Sequence, residues 1–88
     1  MINFQNNKPF VEGVAIEDIA SSYATPMYVY SQKKIEEKYN ELKNALNAEI
    51  FYAVKANSNQ AIIRLMSKLG AGADVVSVGE LERAITAG

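Results

Sequence analysis

Along most of the chain, segments whose apolar residues recur with helical spacing alternate with short, continuous apolar runs. Spacings of three and four between apolar residues predict helices, at residues 16–23, 32–46, 59–69 and 80–87. Short β-prone runs predict strands, at residues 27–30, 50–55 and 73–76. Residues 1–10 are polar and asparagine-rich, and we expect them to be irregular. Strands that alternate with helices in this order predict an α/β fold with a parallel sheet.

Capping residues support these boundaries. Ser31 and either Ser58 or Asn59 are expected N-caps, and Gly70 is expected as a left-handed residue after its helix. Ser77-Val78-Gly79-Glu80 matches a capping box. The apolar stripes predict which helical residues are buried, at positions 35, 39, 42 and 46, then 62, 66 and 69, then 81, 84 and 85.

The run at residues 50–55 ends in a single lysine and has the length of a buried parallel strand. Strand alternation places Phe51, Ala53 and Lys55 on one face. Lys55 is therefore expected at the carboxyl end of a core strand, where α/β proteins build their sites. A neutral lysine amine there can attack a carbonyl to form a Schiff base, and the small Ala53 leaves room for a flat ligand. On spacing alone, the alternative is a lysine that simply reaches into solvent.

Asp74 lies in the second predicted strand and is a candidate neighbour of Lys55. If its carboxylate points inward, Lys55 gains a charged or hydrogen-bonding partner. If it caps a turn or faces solvent, it has no role at the site. The pattern favours neither reading.

Composition limits the chemistry that is open to this chain. It has 88 residues, a net charge of −1, and neither cysteine nor histidine. These features argue against a disulfide framework, the usual zinc sites and any histidine-based triad, so no metal is expected. The charge gives no reason to expect nucleic acid as a partner. No apolar run is long enough to span a bilayer, so no membrane partner is expected and the default location is the cytoplasm.

Two parallel strands are too few for a complete fold, because both sheet edges and one apolar face stay uncovered. A closed (β/α)₈ barrel takes about 250 residues. We therefore expect this chain to be the N-terminal part of a larger protein, or a unit that is completed by self-association.

Three motifs carry a family resemblance: TPMYVY at residues 25–30, FYAVKAN at 51–57 and GADVVSVGEL at 72–81. In this order and spacing they resemble the N-terminal part of diaminopimelate decarboxylases. These enzymes belong to the alanine-racemase-like, fold-type III family that uses pyridoxal 5′-phosphate (PLP). The resemblance covers residues 14–88.

The resemblance implies a TIM-like (β/α)₈ barrel whose first, PLP-binding part is residues 31–88. Residues 1–30 would be an arm and a strand that joins a C-terminal β domain. It also implies that Lys55 holds PLP as a Schiff base, that Ala53 lines the cofactor site, and that Asp74 lies near the lysine and the ring.

The implied activity is that of a lyase in lysine biosynthesis, which converts meso-diaminopimelate to L-lysine and CO₂. PLP serves as the electron sink, and the displaced lysine amine is available for proton transfer. The family is dimeric, so a homo-oligomer is expected. Its glycine-rich phosphate loop, the acidic partner of the pyridine nitrogen, and the cysteine and tyrosine of its β domain would lie beyond Gly88. We therefore expect little or no decarboxylase activity from the chain alone.

Three alternatives stay open. The first is another fold-type III enzyme, such as an ornithine or arginine decarboxylase or a racemase. The second is a non-catalytic remnant that binds PLP or forms oligomers. The third is an aldolase-like lysine on a similar barrel, argued from Schiff-base chemistry alone.

Overall fold

A computed structural model describes residues 2–88, and Met1, part of the predicted irregular arm, lies outside the described residues. The chain divides after Glu37 into two compact units, which are described separately. The strands are β1 Ile2–Gln5, β2 Lys8–Val11, β3 Val14–Ala15, β4 Phe51–Ala53 and β5 Gly72–Asp74. The helices are α1 Ile16–Ser22, α2 Gln32–Leu46, α3 Gln60–Leu69 and α4 Val78–Ala87.

The first unit begins with an antiparallel sheet in the order β1-β2-β3, so the prediction of an irregular arm at residues 1–10 is wrong. Both turns have two residues, Asn6-Asn7 and Glu12-Gly13, and all four have positive φ angles between 50° and 78°. Positive φ at both central residues is the mark of a type I′ hairpin, which matches the twist of the flanking strands. The Asn6-Asn7 pair is therefore a turn signal inside the segment that the sequence predicts to be irregular.

Helix α1 follows β3 directly and confirms the helix predicted from residue 16. The strand predicted at residues 27–30 is absent, because no described strand pairs with this segment. Strands depend on hydrogen bonds to a neighbour, and β-prone residues do not form one alone. Here the rings of Tyr28 and Tyr30 stack on each other, with centroids 6.5 Å apart.

Helix α2 begins and ends where its capping residues predict. The Ser31 hydroxyl accepts a hydrogen bond from the Lys34 amide at 3.1 Å. At the other end, Asn47 has a φ of 47°, and its amide donates to the Lys43 carbonyl. The predicted apolar stripe is buried at Tyr39 but not throughout, since Leu42 and Leu46 are exposed.

The second unit contains the two βα units that the sequence predicts. Strands β4 and β5 pair in parallel, with Phe51 opposite Gly72 and Ala53 opposite Asp74. Helices α3 and α4 pack against each other beside this sheet. The core consists of Val54, Ile63 and Ala87, with Tyr52, Val75 and Ala84 packed around it.

Two helical faces differ from the predicted stripes. In α3 the buried residue is Ile63, which is not among the predicted stripe positions 62, 66 and 69. In α4 the small residues Ala84 and Ala87 pack inward, while Leu81 and Ile85 are exposed. Small side chains allow α4 to approach the core closely, so the larger apolar residues turn away. Gly70 ends α3 with a φ of 103°, as predicted.

One cross-strand contact in this sheet is unusually close. A Cβ atom built on Gly72 would lie 2.5 Å from the nearest ring carbon of Phe51. The Phe51 ring therefore fills the space that a side chain at position 72 would need.

Candidate functional site

Lys55 lies two residues beyond the end of the strand that was expected to contain it. Strand β4 ends at Ala53, and Val54–Ala56 form a single 3₁₀ turn. Val54 is fully buried, and the next residue, Lys55, is exposed. The prediction that Lys55 continues the face of Phe51 and Ala53 is wrong, because burial of Val54 in the core turns the backbone out of the strand.

The Lys55 side chain has no bound partner within residues 2–88. Its amine makes neither a hydrogen bond nor an ion pair with the part of the chain that the structure describes. An exposed amine without an ion-pair partner is open to an incoming carbonyl group, which is the property that covalent chemistry at a lysine requires.

The backbone that carries Lys55 is fixed from two sides. The Tyr52 hydroxyl donates a hydrogen bond to the Asn57 carbonyl at 2.7 Å, which closes the loop back onto β4. The Arg83 Nε donates to the Ser58 carbonyl at 3.0 Å, which connects the same loop to α4. The Lys55 amine therefore has no partner among the described residues, while two hydrogen bonds hold the backbone of its loop.

Two asparagines complete this loop and begin α3. The Asn57 side chain accepts from the Asn59 amide at 3.0 Å, and the Asn59 side chain accepts from the Ala61 amide at 2.9 Å. Short polar side chains that bind the backbone two residues ahead are typical of turns and N-caps. Asn59, one of the two expected caps, is therefore the N-cap of α3.

Ala53 and Asp74 lie opposite each other as the last residues of β4 and β5. Both therefore lie at the carboxyl edge of the sheet, beside the turn that carries Lys55. Ala53 is half-buried, and Asp74 is exposed. The Asp74 carboxylate forms no ion pair with Lys55 in the described residues. The structure thus brings the three predicted residues to one edge without pairing the two charges.

The N-terminus of α4 lies at the same edge. The Ser77 hydroxyl accepts from the Glu80 amide at 3.1 Å, as the capping box predicts. In a capping box the Glu80 carboxylate would accept from the Ser77 amide; here it accepts from the Val76 amide, one residue earlier, at 3.2 Å. The positive end of this helix is therefore already matched by an anion.

Sequence reasoning missed Tyr52 and Arg83. For Tyr52 a signal existed, because a tyrosine in a core strand needs a partner for its hydroxyl. For Arg83 there was none, because its contact joins residues that are 25 positions apart and depends on how α4 is rotated.

A cleft of about 230 Å³ between the helices and the sheet is lined mostly by apolar side chains, among them Tyr52, Ile63 and Met66. Lys55, Ala53 and Asp74 are not part of its lining. Within residues 2–88, no group of three or more acidic, histidine or cysteine side chains could hold a metal ion. Of the helices in that range, none combines the length and apolarity needed to cross a membrane.

Comparison with known proteins gives a family match. Residues 32–88 match the family described as "Pyridoxal-dependent decarboxylase, pyridoxal binding domain". This range contains Lys55, both parallel strands and the two helices that pack beside them.

Individual relatives agree with this match. A diaminopimelate decarboxylase from Pseudomonas fluorescens is 45% identical over 98% of this chain and 21% of its own length. The crystal structure of a diaminopimelate decarboxylase from M. jannaschii superposes with a TM-score of 0.91 at 38% identity, over 98% of this chain and 22% of that one. A second structure of that enzyme, in co-complex with L-lysine, gives a TM-score of 0.88 at 38% identity, covering 98% of this chain and 22% of that one. The chain thus spans about a fifth of the length of these relatives.

The comparisons confirm the resemblance that the three motifs indicated. They also confirm the predicted α/β fold class, since the chain corresponds to part of the barrel domain of these enzymes.

Proposed function

The chain belongs to the pyridoxal-dependent decarboxylases, and from this premise we propose that it provides the cofactor-holding lysine of a diaminopimelate decarboxylase. The observation that supports this most directly is the state of Lys55. Its amine is exposed and unpartnered among the described residues, on a loop that is held by side chains from β4 and α4.

The residues present fit one part of what PLP requires. Lys55 would hold the cofactor covalently through its amine. Ala53, small and half-buried at the end of β4, would leave room for the ring, and Asp74 would lie at its edge. The N-terminus of α4 does not suit the phosphate, because the Glu80 carboxylate is bound there. We therefore assign no phosphate anchor to α4.

When bound, PLP supplies an electron sink that stabilises the negative charge left by loss of a carboxylate. The contribution of this chain is to hold the lysine amine at the carboxyl edge of the sheet. With substrate in the site, the Lys55 amine would accept or return a proton there. Its exposure and its lack of an ion-pair partner within residues 2–88 leave it free for that step.

The proposed substrate is meso-diaminopimelate, with L-lysine and CO₂ as products. Support comes from the names of the relatives and from the neighbour solved with L-lysine. The comparisons give no similar support to the alternatives, which are an ornithine or arginine decarboxylase, a racemase, a non-catalytic remnant and an aldolase-like enzyme. The same proposal includes a homo-oligomer, which the resemblance implies, and a cytoplasmic location, which was expected from the apolar pattern of the sequence. Light scattering on the purified chain would test the first.

The cofactor proposal is tested by incubating the chain with PLP, reducing with borohydride and mapping the labelled peptides. We expect the label on Lys55 in preference to the other six lysines. It should disappear in Lys55→Ala and in Lys55→Arg, which keeps the charge but removes the primary amine. Lys68→Ala, which removes an exposed lysine of α3, is the matched control and should keep the label on Lys55. Label spread evenly over the lysines would overturn the proposal.

A further inference from the structure

We propose that Arg83 is a positioning residue for Lys55, acting through the backbone of the loop that follows it; the role as stated rests on the proposed function of Lys55. Arg83 lies on α4 and donates its Nε hydrogen to the Ser58 carbonyl at 3.0 Å. The bond connects a helix that follows the second strand to the loop that follows the first.

The position of Arg83 on its helix explains this contact. Arg83 and Ala87 are four residues apart and therefore share a face of α4. Ala87 packs with Val54 in the core. Side chains on a helix point back toward its N-terminus, and α4 begins at the carboxyl edge of the sheet. When Ala87 contacts Val54, Arg83 is consequently directed at the loop that leaves Val54.

Side chains donate hydrogen bonds to two consecutive carbonyls of this loop, those of Asn57 and Ser58. One donor is close to the loop in sequence and the other is distant. Tyr52 holds the Asn57 carbonyl from the strand just before the loop, so it fixes the local turn. Arg83 holds the Ser58 carbonyl from another element, so it fixes where the turn stands relative to α4. Loss of Arg83 should leave the 3₁₀ turn formed while freeing the segment between Lys55 and α3 to move.

The Arg83 bond is exposed to solvent. Exposed hydrogen bonds contribute little to global stability, since water replaces the lost partner. The effect of removing it should therefore appear in the local motion of the loop and in the selectivity of Lys55, with little change in overall unfolding.

The test uses three variants of the full chain. Arg83→Met keeps the apolar stem and removes the donor, and Arg83→Lys restores a donor at similar reach. Arg64→Met is the matched control, because Arg64 is an exposed arginine of α3 whose side chain forms no hydrogen bond or ion pair within residues 2–88. Two quantities are measured: amide hydrogen exchange of residues 57–61, and the ratio of PLP trapped by borohydride at Lys55 to that at Lys68.

We expect Arg83→Met to raise exchange in this segment about tenfold and to lower the Lys55-to-Lys68 ratio severalfold, with an unchanged denaturation midpoint. Arg83→Lys should recover most of both, and Arg64→Met should match the parent. Unchanged exchange and an unchanged ratio in Arg83→Met would overturn the inference. If Lys55 is not selectively labelled even in the parent, the proposed cofactor function fails, and exchange alone then decides whether Arg83 orders the loop.

Discussion

The two loops that follow the parallel strands begin at the same edge of the sheet but are built differently. Residues 54–59 connect β4 to α3 through a 3₁₀ turn, and residues 75–77 connect β5 to α4 directly. The first loop receives hydrogen bonds from Tyr52 and Arg83, which lie outside it. The second is closed by Ser77 and Glu80 acting on nearby amides.

This difference corresponds to two tasks of a βα connection, which are to begin the next helix and to present a side chain to another molecule. The second loop has a single polar side chain, Ser77, which caps α4, so none is left over for an incoming molecule. The first loop also caps its helix with its own Asn59, but Tyr52 and Arg83 hold it from outside, and the Lys55 amine stays free. Support from neighbouring elements is therefore what allows this loop to be both ordered and available.

The largest expected effect concerns one valine in each loop, Val54 in the first and Val76 in the second. Val54 is fully buried in the core, so Val54→Ala should lower the free energy of unfolding by about 2 kcal/mol through lost burial and a small cavity. Denaturant unfolding followed by circular dichroism measures this. Val76→Ala in the other loop is the control; Val76 is 68% exposed, and its loss should stay within about 0.5 kcal/mol. Equal losses would mean that both loops are anchored in the same way.

The next effect concerns the two N-caps. Ser77→Ala and Asn59→Ala should each cost about 1 kcal/mol, because each leaves one helix amide without its acceptor. Hydrogen exchange should distinguish them. We expect Asn59→Ala to loosen residues 54–61 and Ser77→Ala to loosen residues 75–80. If either variant loosened both segments equally, the two loops would form one cooperative unit.

The smallest effect concerns the charge at the start of α4. Glu80→Gln keeps a hydrogen-bond acceptor but removes the anion from the positive end of the helix, so it should cost about 0.5 kcal/mol at low salt. The loss should shrink as salt is added, since such interactions are screened. Glu82→Gln is the control, because Glu82 lies on the same helix and is exposed. A loss of stability in Glu82→Gln as large as that in Glu80→Gln would exclude a specific role for Glu80.

Features that depend on a few neighbouring residues were predictable from the sequence. The caps at Ser31 and Ser77 and the left-handed Gly70 were predicted correctly, and Asn59 was one of the two caps predicted for α3, because each acts on backbone groups within four residues. The type I′ hairpin at Asn6-Asn7 was equally local and could have been predicted from the same kind of signal.

Features that depend on distant contacts were not predictable. The strand expected at residues 27–30 has no partner in the described chain, and nothing in its own composition reveals that. Likewise, the apolar run up to Val54 gives no hint that the strand ends at Ala53. That boundary follows from packing Val54 against Ile63 and Ala87, which come from two helices later in the chain.

The candidate site shows the same difference between features set by neighbouring residues and features set by distant contacts. The sequence predicted Lys55 at the carboxyl end of a strand, because strand order and direction suffice for that, and it left open whether Asp74 is a neighbour of Lys55. It did not provide the contacts that hold the loop, since the bond from Arg83 to Ser58 depends on the rotation of α4 against the core.

The close approach of Phe51 and Gly72 has a consequence for how this sequence can change over generations. A methyl group at position 72 would collide with the Phe51 ring, with 2.5 Å between the atoms. Alanine at position 72 is therefore disfavoured while the ring is present, and tolerable once position 51 holds a smaller residue. The two substitutions are coupled, so their effects should not add. Descendants of this sequence can reach the double change without displacing the Phe51 ring by only one of the two orders, through position 51 first.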